Sequence, residues 1–253
     1  MNGDSKARNL EVAGKGNVRA RLNVFWNGAN EMTKINALLI TGGHPFERVP
    51  FFEMTRALPK INFVPVEQPG VDKYYAQEAA AAYDAFVCYD FGQAMTEKAR
   101  ADFVARLDEG KGVVFLHHAI YNHLDWPEFK DILGGLWINQ PFTVENWPYG
   151  PSTYNLDQKV GVKIADKTHP ITKGMSDFEL AEETYGKFYV SHAVKPLLLT
   201  DHPTSDPIIG WTHTYRKARV VYLQPGHGPS TFGHFQFRQI LERSICWVTG
   251  NLS

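Results

Sequence analysis

His117 and His118 close an apolar run, Gly112-Val113-Val114-Phe115-Leu116, that follows a glycine-marked helix end at Glu109-Gly110-Lys111. Imidazole serves as acid, base or metal ligand near neutral pH, so a pair at a buried strand end marks a place to handle protons or a cation. Three other apolar runs end on polar groups: Leu38-Leu39-Ile40-Thr41-Gly42-Gly43-His44, Phe86-Val87-Cys88-Tyr89-Asp90, and Val220-Val221-Tyr222-Leu223-Gln224-Pro225-Gly226-His227. Glu182 and Glu183 close a further strand-like stretch ahead of Thr184-Tyr185-Gly186. A carboxylate buried beside histidines makes a general base or a ligand. Glu183 is the candidate for that role, and Glu182 is read as a solvated surface charge. Neighbours on a strand face opposite sides, so His117 is expected to reach the crevice and His118 to pack or cap.

Tyr121-Asn122-His123-Leu124-Asp125-Trp126 adds an imidazole and a carboxylate directly after the pair. With His117 they suggest a loose zinc set, but the spacing matches no tight zinc signature. Asp125 is therefore expected to cap the next helix, while His123 stays open between a ligand and an exposed residue. Gly226-His227-Gly228 combines an imidazole with glycines that allow a tight turn and close backbone approach. Thr41-Gly42-Gly43-His44-Pro45 is a glycine turn without the complete dinucleotide or phosphate-loop pattern. Nucleophilic catalysis finds little support: Cys88 lies inside a strand-like run, and no Gly-x-Ser-x-Gly elbow is present.

These residues need a frame that gathers strand ends. In an open parallel sheet, ligands bind beyond the carboxyl ends of the strands. Apolar runs at 35–41, 62–66, 85–89 and 113–116 read as strands, with helices expected around 50–58, 76–83 and 96–109. Thr96 is placed to cap the third helix. Such alternation implies a mostly parallel sheet. A short helix is expected over 126–133, and 137–159, rich in Trp, Pro, Tyr and Asn, reads as a long loop. Strand-like runs follow at 160–164, 178–181, 196–200, 207–212 and 219–224, and a closing helix at 235–249.

The 253 residues suit one large α/β domain over 32–253, with 1–31 expected to be a poorly ordered extension. A net charge of −1, with scattered Lys and Arg, argues against nucleic-acid or membrane partners. No 18-residue apolar span and no signal-peptide pattern is found, so a cytoplasmic location is expected. Cys88 and Cys246 lie in apolar runs and read as buried free thiols.

From Ile35 to Trp247 the chain resembles the ThuA-like (trehalose-utilisation) family. The resemblance is carried by Leu39-Ile40-Thr41-Gly42-Gly43-His44, Gly112–His117, Asp125-Trp126-Pro127-Glu128-Phe129 with Leu133-Gly134-Gly135, His169-Pro170-Ile171-Thr172-Lys173-Gly174, Glu182–Gly186 and Leu223–His227. It implies a flavodoxin-like, class I glutamine amidotransferase-like three-layer sandwich with a mostly parallel central sheet. The family lacks the amidotransferase cysteine, and His117-His118 stands where that residue would sit. The family's recurrent polar positions fall on His44, His117, Glu183 and His227.

The resemblance implies a role in carbohydrate metabolism, as an enzyme acting on a sugar or 3-keto-glycoside by hydrolysis, elimination or isomerisation. His117, Glu183 and His227 are the catalytic candidates, and His44, His118, Trp126 and Tyr185 the substrate-binding ones. No cofactor is certain. A divalent metal such as zinc is the option, with His117, Glu183 and His227 as ligands. A metal-dependent hydrolase of another substrate class and a non-catalytic sugar-binding or regulatory module are the alternatives. The expected partner is a small carbohydrate, and a homo-oligomer is compatible with the sequence.

Overall fold

The computed structural model describes residues 34–144 and 146–253, so the expectation for 1–31 lies outside the described residues. The first half follows the alternating pattern: β1 (Ile35–Gly42), α1 (Arg48–Arg56), β2 (Ile61–Glu67), α2 (Gln77–Ala80), β3 (Ala85–Asp90), α3 (Glu97–Asp108) and β4 (Gly112–Leu116). The Thr96 hydroxyl accepts the Ala99 N–H at 3.2 Å and starts α3, as its residue type demands. A 3-10 turn (His117–Tyr121) and α4 (Phe129–Leu133) follow, then β5 (Gly135–Leu136). Next come β6 (Phe142–Val144), β7 (Trp147–Tyr149), β8 (Thr153–Ile164), β9 (Phe178–Gly186) and β10 (Tyr189–Val190). The chain continues through β11 (Lys195–Leu199), β12 (Ile208–Tyr215) and β13 (Ala218–Leu223), and closes on α5 (Pro229–Gly233) and α6 (Phe235–Val248). The 137–159 stretch is thus not a loop: it holds the antiparallel β6–β7 hairpin and the start of β8.

The central sheet has nine strands in the order β2-β1-β3-β4-β13-β12-β11-β8-β9. The first five pair in parallel and every later pairing is antiparallel, so the sheet is mixed rather than mostly parallel. The reason is connection length. Helical crossovers permit parallel neighbours, whereas β12 and β13 are joined by only Arg216 and Lys217, which forces reversal.

Side chains alternate across the parallel half and build two cores. Ala37, Leu39, Val87, Val114 and Val221 pack with Phe51 of α1 and Ile240 of α6. Leu38, Ile40, Phe86, Val113 and Val220 pack on the other face with Phe103 of α3 and Ile132 of α4. Burial of each Val, Leu, Ile or Phe among them contributes roughly 1.5–3 kcal/mol, and helices on both faces of the sheet make three layers. Cys88 and Cys246 are buried free thiols. Among the described residues no helix is long and apolar enough to cross a membrane.

Candidate functional site

β1, β3, β4 and β13 are consecutive in the sheet and parallel, so their polar carboxyl ends share one edge. β4 stops at Leu116, and His117 takes a left-handed backbone with φ 51°. A non-glycine residue rarely holds this conformation, and such residues cluster at functional sites. The bend keeps both imidazoles beside the strand end, their ring centroids 5.1 Å apart. The opposite-face expectation fails because the strand geometry has already ended.

His117 is held from several sides. Its Nδ1 lies 2.8 Å from the Gln224 carbonyl oxygen, and the Tyr222 hydroxyl donates to the His117 carbonyl at 3.0 Å. A carbonyl only accepts, so Nδ1 is assigned the proton. His117 Nε2 then faces Glu183 Oε2 at 3.1 Å, with the Tyr185 hydroxyl 3.0 Å from Nε2 and donating to Oε2 at 3.1 Å. Glu183 and Tyr185 are two apart on β9 and so share a face. The β8–β9 register slips between Asn155 and Gln158, with Asp157 at φ 54°. A bulge of this kind bends a strand pair. It accompanies the return of β9, last in the sheet order, to the ends of β4 and β13.

His227 follows β13 through Gln224-Pro225-Gly226, and its Nδ1 lies 3.3 Å from Glu183 Oε2. Glu182 fixes this loop. It is 2% exposed and accepts the Gly226 and His227 N–H groups, each at 2.9 Å, together with the Thr231 hydroxyl. The expectation of a solvated Glu182 is overturned: these three donors and the Glu183 N–H at 3.0 Å replace its water, which is what a buried carboxylate requires. Gly226 is needed here, since a Cβ would lie 2.9 Å from His117 Cβ.

The Glu183 carboxyl is pushed up by burial, but hydrogen bonds and charge from His117 and His227 outweigh that. They hold it well below the usual carboxylate range. The hydrogen bond to Glu183 raises His227. Burial drives the Tyr185 hydroxyl well up, so it stays a donor.

Glu183, Tyr185 and His227 border a cavity of about 620 Å³ that His44, His118, Trp137, Tyr154 and Leu156 also line. His44 is exposed, with its ring 5.3 Å from that of His118. Gly43 carries the chain to it; a Cβ there would strike the Phe91 carbonyl at 2.0 Å. His118 lies 3.3 Å by Nδ1 from the Asp90 carbonyl oxygen, and burial, then the neighbouring His117 and His44, drive it down to about 2. Asp90 is buried between Gln68 and Asn122, whose amides donate to it at 2.9 and 2.8 Å, and burial pushes it up to about 6.

Three expectations at this end fail. Trp126 is buried against Phe103 and Phe129 and does not line the cavity. His123 is 5% exposed, edge-on to Phe129 at 4.8 Å. Asp125 pairs with Arg100, while Glu128 stands before α4. Phe129 packs against both Trp126 and His123, and the Arg100 guanidinium on α3 draws the exposed Asp125 away from the cap. Sequence reasoning also missed Tyr89, whose hydroxyl donates to the Gly226 carbonyl at 2.8 Å, and Tyr222. Both sit in apolar runs, where nothing local distinguishes a bonded tyrosine from a packed one.

His117, Glu183 and His227 offer ligand atoms that all lie within 4.8 Å of one another. With Nδ1 protonated, His117 Nε2 either carries a second proton, as an imidazolium donating to the ionised Glu183 carboxylate, or offers its lone pair. Two acceptors at 3.1 Å need a positive centre between them, either a proton or a metal ion. Two imidazoles and a carboxylate with an open position is the donor set of a catalytic zinc, and the His117 bond to a carbonyl is the usual outer support for a ligand histidine. The residues fit a divalent cation.

No curated protein matches the chain in sequence. In structure it is similar to a ThuA-like protein from Parabacteroides merdae (TM-score 0.71, 19% identity, 87% of this chain and 91% of that one). A ThuA-like protein from Bacteroides uniformis aligns with TM-score 0.64 and 25% identity over 88% of this chain and 95% of its own. A GMP synthase component from Thermoplasma acidophilum shares the fold alone, at TM-score 0.50 and 11% identity over 86% of this chain and 95% of that one. The family model described as ThuA, trehalose utilisation, matches residues 41–248. That match spans the strand ends carrying His44, His117, Glu183 and His227, and the chain belongs to the ThuA family.

Proposed function

We propose that this protein is an enzyme of carbohydrate metabolism that acts on a sugar or 3-keto-glycoside at a divalent-cation centre held by His117, Glu183 and His227. The carrying observation is the convergence of these three ligand atoms within 4.8 Å beside a cavity large enough for a small organic substrate. Family membership supports the carbohydrate setting.

A cation so held supplies Lewis-acid polarisation of a carbonyl or hydroxyl oxygen. The protein's own residues do the rest. Gln224 and Tyr222 hold His117, Glu182 holds the His227 loop, and Glu183 stays ionised between the imidazoles. A 3-keto sugar carries an acidified hydrogen beside its carbonyl; in this reading Tyr185 gives a proton at the oxygen and His44 takes one from carbon. His118, kept neutral, accepts or packs without adding charge. No thiol enters, since the β4 end carries histidine.

Metal analysis of the purified protein and calorimetric titration with Zn²⁺ test the centre, with stoichiometric binding expected and its loss in His227→Ala. Following keto-glycosides by NMR, with and without added divalent cation, tests the reaction. Cation binding that survives both His227→Ala and Glu183→Gln sinks the centre, and absence of turnover under every cation sinks the substrate assignment.

A further inference from the structure

Tyr154 and Leu156 remain 62% and 49% exposed, and both border the cavity shared with Glu183 and His227. They lie two apart on β8, so they present one apolar surface on a single strand face. The aromatic wall continues as Phe91 and Tyr121, stacked at 4.5 Å, and as Trp137, 5.8 Å from Tyr121. Exposed apolar side chains gathered at a cavity mark where ligand surface is buried.

Polar groups are divided unevenly around this space. The imidazoles and Glu183 crowd one part. Along the Tyr121 and Tyr154 side the polar liners are few, and Ser152 is already engaged: its Oγ accepts the Ile138 N–H at 2.9 Å and donates to the Lys187 carbonyl at 3.2 Å. Asn139 Nδ2 donates to the Tyr121 hydroxyl at 3.1 Å. A second sugar ring placed here would surrender water from several hydroxyls with few partners in exchange, whereas an aryl group needs none and gains ring contacts. The cavity volume, about 620 Å³, sits inside the roughly 300–1,000 Å³ range of drug-sized ligand sites and has room for a sugar and one such group.

We infer that the site takes glycosides with an aromatic, apolar aglycone, seated on Tyr154 and Leu156 while the sugar ring meets Glu183 and His227. This rests on the sugar-directed reading above. The test is calorimetric binding of the full chain to phenyl glucoside, methyl glucoside, a glucose disaccharide and free phenol, with and without Zn²⁺. Phenyl glucoside is expected to bind about 10-fold or more tighter than the methyl glucoside or the disaccharide. Tyr154→Ser with Leu156→Ser should erase that advantage; both positions are exposed, and a thermal melt confirms folding. Equal phenyl and methyl affinities, a tighter disaccharide, or a phenyl advantage untouched by the variants overturns the aglycone inference while leaving the sugar reading standing. Phenol matching phenyl glucoside overturns the sugar reading and leaves the apolar seat. Absence of binding by every glycoside overturns both.

Discussion

The Glu182 carboxylate accepts the backbone N–H of His227 at 2.9 Å, across 45 residues of sequence, while the next residue, Glu183, meets the His227 ring at 3.3 Å. One dipeptide therefore positions both the main chain and the side chain of the same histidine. Glu182→Gln keeps the volume but turns an amide NH₂ toward donors. An unsatisfied buried group costs about 1–3 kcal/mol. A loss of stability in that range, read by urea denaturation, is expected together with weaker Zn²⁺ binding. Unchanged Zn²⁺ affinity would mean that Glu182 serves the fold alone.

Gly226→Ala forces a Cβ to within 2.9 Å of His117 Cβ at a backbone φ of 153°. Overpacking of this kind costs about 1–3 kcal/mol, and it pushes on a ligand residue. Cation affinity is expected to fall along with the melting temperature. Gly228→Ala is the control, because a Cβ there meets nothing within 4 Å. Equal effects of the two substitutions would dismiss the steric account.

Glu183→Gln removes the negative charge that two imidazoles share. Loss of an outer-shell partner costs roughly 10–100-fold in metal affinity, and removal of a ligand should cost at least that. Direct titration with Zn²⁺ reads the change. An affinity within a few-fold of the parent would show that the carboxylate is not a ligand.

Two buried groups give stability opposite pH slopes. Burial drives His123 down to about 4. Its contribution is complete above the unfolded value, about 6.5, and drains away as pH falls through 6.5 toward 4. Burial pushes Asp90 up to about 6, so the folded state there holds the proton more tightly. Stability from this group is lost as pH rises from the unfolded value, about 3.9, through 6. Each effect amounts to about 3 kcal/mol across its window, and the two oppose one another between pH 4 and 6. Denaturant titrations across that range should show His123→Phe becoming less stable with rising pH relative to the parent, and Asp90→Asn the reverse. Parallel profiles for both variants and the parent would refute the assignment.

Much of the frame is legible locally. Leu38–Ile40, Phe86–Cys88, Val113–Leu116 and Val220–Leu223 are short apolar runs bounded by glycine or polar residues, and each is a buried strand with its polar end on one sheet edge. Thr96 announces α3 because a capping hydroxyl acts within three residues. The same run-end logic singles out His44, His117 and His227; the structure sets His44, His227 and Glu183 around one cavity, with the His117 ring against that of His227.

Periodicity reports how often a side chain is buried, not against what. It cannot distinguish Glu182 in water from Glu182 under three donors of a distant loop, nor Trp126 on a sugar from Trp126 against Phe103. It also treats a strand as continuing until composition changes, so the left-handed turn at His117, which unites the two imidazoles, leaves no trace in it. The sequence alone determined which segments are buried strands and which polar residues end them, because both are decided by neighbours along the chain. Only the tertiary structure decided that β9 returns to those ends, that half the sheet runs antiparallel, and that Tyr154 and Leu156 edge the cavity. Those outcomes depend on connection geometry and on partners tens of residues away.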